Sequence, residues 1–190
     1  PREGPLTARR LATTLKCSTR TLYQQMGKQE ELISALLNHY FVKTAPELDS
    51  TLSWKDAIGA WASALRLAIL ERPNLSRHLS TDNRPALIEF TRPLLAALIA
   101  SEFSEAVAVE VCRSLVHVIV SLTLGELETQ AHRYDETAIE GDHLARLLSI
   151  DANAYERSPD GKMPPPVFLQ SIHWLIGGIE LQRQTQVART

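Results

Sequence analysis

Residues 6–26 read LTARRLATTLKCSTRTLYQQM, and this stretch decides the fold. Leu11, Ala12 and Leu15 recur on one face at helical spacing, and Leu22 and Met26 do so further on. Between them Lys16-Cys17-Ser18 forms a tight connection ending in a good helix N-cap. The pattern is helix, turn, helix. In such a unit the second helix fits a DNA major groove while the first braces it across the backbone. That geometry needs a small residue at the crossing, which Ala12 supplies, and apolar anchors behind the second helix, which Leu22 and Met26 supply. The outward face then carries Ser18, Thr19, Arg20, Tyr23 and Gln24. Short hydroxyls suit phosphates, and Arg and Gln can pair bidentately with guanine and adenine edges. Three ordinary amphipathic helices in a bundle would show the same periodicity, so that alternative stays open on spacing alone.

Outward from this stretch, Gly27 separates off a third, longer helix carrying Leu32, Leu36 and Tyr40, and Pro46 closes it. Charge follows the same boundary. Residues 1–43 hold seven basic and three acidic residues, a net +4, whereas the whole chain of 190 residues carries −2, leaving −6 on the remainder. A basic head on an acidic body fits nucleic-acid contact at one end. The expected division is a head over residues 1–45 and a body over 46–190.

The body reads as helices throughout. Ser53-Trp54-Lys55-Asp56 resembles a capping box with aspartate in the reciprocal role, opening a helix with Ile58, Trp61, Leu65, Ala68 and Ile69 on its apolar face. Pro73 bounds it, and a short helical piece is expected around Leu75–Leu79. The next helix starts near Pro85 and carries Leu87, Phe90, Leu94 and Leu98; Pro93 should kink or split it. The longest helix, about 104–129, is apolar on almost every side from Leu115 to Leu124, so it needs cover on two faces. Its uncharged stretch, between Arg113 and Glu126, is shorter than the roughly 20 residues of a membrane span. Residues 130–163 are polar and loop-like, and Pro164-Pro165-Pro166 leads into a last helix to about Gln184 with Gly177-Gly178 inside it. The fold class is all-α.

Composition excludes other classes. At 44% hydrophobic residues the chain builds a core, and two distant cysteines make neither a disulfide scaffold nor a zinc finger. No signal peptide is visible, and a cytoplasmic location is the expectation. No Ser-His-Asp grouping, glycine-rich phosphate loop or paired catalytic carboxylates follow from spacing, so no enzyme activity and no cofactor are expected. His132 and Asp135, with Asp142 and His143, have a spacing that could meet a metal, but a solvated polar surface is the expected reading. Cys17 and Cys112 read as small buried thiols rather than oxidant sensors.

Gly4 followed by LTARRLATTLKCSTRTLYQQMGKQEELISAL resembles the DNA-binding domain of tetracycline-repressor-type (TetR) transcriptional regulators. The Leu22-Tyr23 pair and Glu31-Leu32 opening the next helix carry the resemblance most specifically. Glu102-Phe103-Ser104-Glu105-Ala106, Gly125 with Glu126 and Glu128, and FLQSIHWLIGGIE near the C-terminus extend it loosely over the body. The resemblance implies that Thr7 and Tyr23 contact phosphate, and that Ser18, Thr19, Arg20 and Gln24 meet base edges or phosphate. Lys28 would serve the backbone contact that the family makes one position later, where this chain has Gln29. Lys16 replaces a glycine that ends the bracing helix, so it must adopt a left-handed backbone or the turn must differ. Gln25-Met26 replaces a commoner histidine-aromatic pair. The family's first helix has no counterpart here and is expected before Pro1.

In the body, the resemblance places Trp61, Leu65, Phe90 and Leu94 around an effector pocket, with His117, Ser121 and Trp174. His117 and Ser121, four apart on an apolar helix, are the expected polar pair, although core packing accounts for any one of these residues equally well. The expected protein is a homodimer pairing through helices 104–129 and 166–186. It would bind a palindromic double-stranded DNA operator, most simply as a repressor released by a small-molecule effector, with no membrane partner. Two rivals are a regulator-derived helical sensor or carrier that no longer binds DNA, and an enzyme on a helical bundle.

Overall fold

The computed structural model describes residues 9, 12, 13, 16, 18–21, 29–79, 85–131 and 163–187. The described part of the head has helical residues at Arg9, Ala12 and Thr13 and again at 19–21. Six further helices follow: α1 (Gln29–Thr44), α2 (Trp54–Glu71), α3 (Pro73–Ser76), α4 (Pro85–Ala100), α5 (Glu105–Ala131) and α6 (Pro166–Val187). No strand occurs among the described residues.

Local chemistry accounts for the helix ends. Ser53 caps α2 by accepting from the Asp56 N–H at 3.2 Å, and its own hydroxyl donates to the Asp56 carboxylate at 2.6 Å. The aspartate therefore braces the cap hydroxyl, where a full capping box would reach the cap backbone. The short piece after α2 begins on Pro73 itself and ends at Ser76, earlier than Leu75–Leu79 predicts, because a proline at the first helical position gives up only an orphan N–H. Pro93 lies inside an undivided α4. The end of α4 is a Schellman turn: Phe103 N–H bonds Leu98 O, Glu102 N–H bonds Ile99 O, and Glu102 takes φ +66°. Phe103 and Leu98 are both buried across it.

The core forms where these helices face one another. α1 packs chiefly on α4, and α2 packs on α4 and α5. Phe41 of α1 meets Phe90 of α4 edge-on at 5.7 Å, and Phe90 meets Trp61 of α2 at 6.3 Å. The Trp61 indole N–H donates to Phe90 O at 3.1 Å, so the ring is fixed at both ends. By length and composition Glu105–Leu127 of α5, with mean hydropathy 1.8, is long and apolar enough to cross a membrane. It contacts α2, α4 and α6, burying Ala108, Leu115 and Ile119 among them.

A charged pair lies inside this apolar body. Arg66 of α2 donates from Nε and Nη2 to the two carboxylate oxygens of Glu126 of α5, at 2.9 and 2.7 Å, and both side chains are fully buried. The guanidinium also lies 5.8 Å from the Phe168 ring of α6, so three helices converge on it. Such a pair gains little over an apolar replacement but is costly to break, because the survivor is a buried bare charge. Glu126→Gln should therefore lose about 3–5 kcal/mol in urea unfolding at fixed chain concentration. Arg66→Met with Glu126→Leu should recover most of that loss.

Candidate functional site

The first candidate site is the turn and second helix of the head. Lys16 has φ +53°, and its N–H bonds Thr13 O at 3.2 Å. The lysine thus adopts the left-handed conformation that its place at the end of the bracing helix demands, at roughly 1–2 kcal/mol relative to a right-handed residue. Ala12 is buried, as a crossing point requires. Ser18 accepts from Thr21 N–H at 3.0 Å and lies 2.8 Å from the Thr21 hydroxyl. Its side chain therefore caps the second helix, an occupation the sequence reading noted only as propensity. Thr19 and Arg20 stand exposed in the first turn after this cap. Thr7, Tyr23, Gln24 and Lys28 lie outside the described residues, as do Cys17 and the group His132, Asp135, Asp142 and His143.

The second candidate site lies in the body, and here the structure separates what the sequence reading joined. Trp61, Leu65, Phe90 and Leu94 are together and have no exposure, forming the packed centre between α2 and α4. His117 and Ser121 do not join them. Both face outward on α5, because the buried stripe of that helix runs through Leu115, Ile119 and Thr123. Trp174 is 69% exposed and lines a different groove, between α5 and α6. On α5 the exposed Glu110, Arg113, Ser114, His117 and Ser121 form one polar stripe at helical spacing, opposite the buried one.

His117 instead borders an apolar groove of about 380 Å³ between α4 and α5. Leu87 and Cys112 form buried parts of it, and Ile88, 60% exposed, stands at its edge. Burial pushes the Cys112 thiol up to about 11, so it is present as a neutral thiol. Nothing in the sequence marks this groove, and the signals for Arg66–Glu126 were an arginine beside Leu65 and a glutamate ending an apolar run.

A third feature ties α1 to α2. The Tyr40 hydroxyl of α1 donates to Ala68 O at 2.9 Å and to the Glu71 carboxylate at 3.2 Å, at the end of α2.

No protein-family model matches the chain, and no curated protein matches it closely. Solved structures do. A "possible TetR family transcriptional regulator" from Streptomyces coelicolor A3(2) superposes with TM-score 0.63 at 21% identity, over 97% of this chain and 90% of that one. The TetR family protein ActR of Streptomyces coelicolor, solved with (S)-DNPA, gives TM-score 0.62 at 19% identity over 93% and 88%. BioQ, solved with its double-stranded DNA operator, gives 0.52 at 25% identity over 77% and 85%. The fold of this chain is that of the TetR-type transcriptional regulators.

Burial, with the Glu71 carboxylate adding to it, pushes the Tyr40 phenol from 10.0 up to about 12. The unfolded chain then loses this proton before the folded one does, so Tyr40 makes stability fall as pH rises from about 10 to 12. Ultraviolet titration of the native protein should show one of its four tyrosines ionising near 12, and Tyr40→Phe should remove that step.

Proposed function

We propose that this chain is a dimeric DNA-binding transcriptional regulator, a repressor that a small-molecule effector releases from a palindromic operator. The observation that carries the reading is the head. A left-handed Lys16 closes the bracing helix, Ser18 caps the next, and Thr19 and Arg20 stand exposed at its start. Residues at the N-terminal end of a recognition helix are those that reach base edges. The fold shared with BioQ, solved on its operator, supports the same assignment. Within it Arg20 and Gln24 read bases, Thr7, Tyr23 and Lys28 hold phosphates, and Thr19 serves either. Work on an operator places the protein inside the cell.

Dimerisation through α5 and α6 fits the surface those helices leave uncovered. Leu169, Trp174 and Leu181 on α6 are exposed, and a groove beside Trp174 runs between α5 and α6. No atom outside α6 lies within 4 Å of where a Cβ on Gly177 or Gly178 would sit, leaving room for a partner helix to approach closely. A four-helix interface of two copies would cover these positions. It would hold two heads roughly 34–36 Å apart, or at another groove-matched spacing. An effector shifts that spacing only by binding one arrangement better than the other.

Selection of bound duplexes from a random pool by the full chain should yield a palindrome whose affinity falls steeply with salt. Arg20→Ala should weaken binding to the winner about tenfold or more, and Tyr23→Phe should weaken it less and more evenly across sequences. Failure to enrich any sequence at low salt by a folded chain sinks the DNA-binding reading and leaves a ligand-binding helical protein. Trp174→Glu should turn a dimer into a monomer in sedimentation equilibrium; an unchanged mass would move the interface elsewhere.

A further inference from the structure

We propose that the groove between α4 and α5 is a binding site for an amphipathic organic anion, a carboxylate on an aliphatic or aromatic body. Its volume of about 380 Å³ lies within the range of small-molecule sites, and its lining is overwhelmingly apolar. The two charged groups of its lining, Arg92 and Arg113, are both basic. Arg92, Arg113 and His117 border it, and no acidic side chain does so among the described residues.

The two arginines are held there without being used up. Arg92 pairs with Glu89 and Arg113 with Glu110, each three residues back along its own helix. These glutamates are outside the groove lining, and both arginines are more than half exposed. Exposed pairs of this kind contribute little energy, so a ligand carboxylate can share the guanidinium at small cost. Arg92 gives Glu89 two of its five N–H groups, through Nε and Nη2. His117 Nδ1 donates to Arg113 O at 2.7 Å, since a carbonyl only accepts. The same bond fixes the ring orientation and leaves Nε2 free of that backbone contact.

The apolar part of the ligand has a counterpart as well. Ile88 is 60% exposed and Val109 37% exposed, both bordering the groove, while Leu87 and Cys112 are buried. An aliphatic or aromatic body covering them would remove that surface from water. Because the Cys112 thiol is neutral, it acts as one more soft apolar wall.

The groove also has a mechanical position. α4 presents Leu87, Ile88, Thr91 and Arg92 to the groove, while its Phe90 holds Phe41 of α1, the helix leading back to the head. A ligand that shifts α4 therefore moves the seat of α1. This use as a release switch rests on the DNA-binding reading; the binding site itself does not.

The test is accordingly made without DNA. Calorimetric titration of the full chain compares decanoate with decanol and 1-naphthaleneacetate with 1-naphthaleneethanol, so that each carboxylate has a neutral counterpart of matching shape. At least one carboxylate should bind about tenfold or more tightly than its counterpart. Arg92→Gln with Arg113→Gln should abolish that preference, with little change in thermal stability because both side chains are exposed. Leu95→Trp, which fills the groove from α4, should weaken both members of the pair. No preference for either carboxylate, or a preference that survives the double substitution, overturns the proposal. Either result leaves the duplex-selection outcome unaffected, so the two readings fail separately.

Discussion

The contact of Phe90 with Phe41 on one side and Trp61 on the other is what the rest of the structure depends on. It is the seam at which α1 enters the core that α2 and α4 form. Edge-on aromatic contacts of this kind add about 0.5–1.5 kcal/mol each beyond the area they bury. Their larger consequence is positional. α1 packs chiefly on α4, and Phe90 is the ring of α4 that meets it. The Tyr40 hydroxyl, anchored to Ala68 O and Glu71, fastens the same helix a turn away.

The Arg66–Glu126 pair solves a different problem. α5 meets its neighbours through an apolar face, and apolar faces can slide against one another at little cost. A bidentate pair between two fully buried side chains allows one register only. Phe168 stacked against the guanidinium extends that register to α6. Lys55 with Glu180 then ties the partly exposed start of α2 to α6, and Arg183 lies over the Phe103 ring at 4.8 Å. The outer faces of α5 and α6 are thereby held as one surface.

Among the described residues, two take a left-handed backbone without being glycine, Lys16 and Glu102. Both end a helix, and in both the local bonding is that of a helix terminus rather than a loose loop. At Lys16 the demand was legible in advance, because the resemblance placed a glycine there. At Glu102 nothing in the sequence announced it; the Schellman turn forms because Phe103 and Leu98 bury against each other.

The sequence by itself determined the helices and their order. Periodicity, the cap at Ser53 and the prolines at 73, 85 and 166 are local signals that act over one or two turns. It also determined the turn and second helix of the head, since Ala12, Lys16 and Ser18 do their work within a few residues. Trp61, Leu65, Phe90 and Leu94 came together because two amphipathic stripes had to meet. His117 and Ser121 lie elsewhere because they continue the exposed stripe of Glu110, Arg113 and Ser114 along α5, and Trp174 because it is exposed on α6. Tertiary structure alone decided which helices meet and in what register. A buried charge pair sixty residues apart in sequence joins α2 to α5, and no local pattern encodes it.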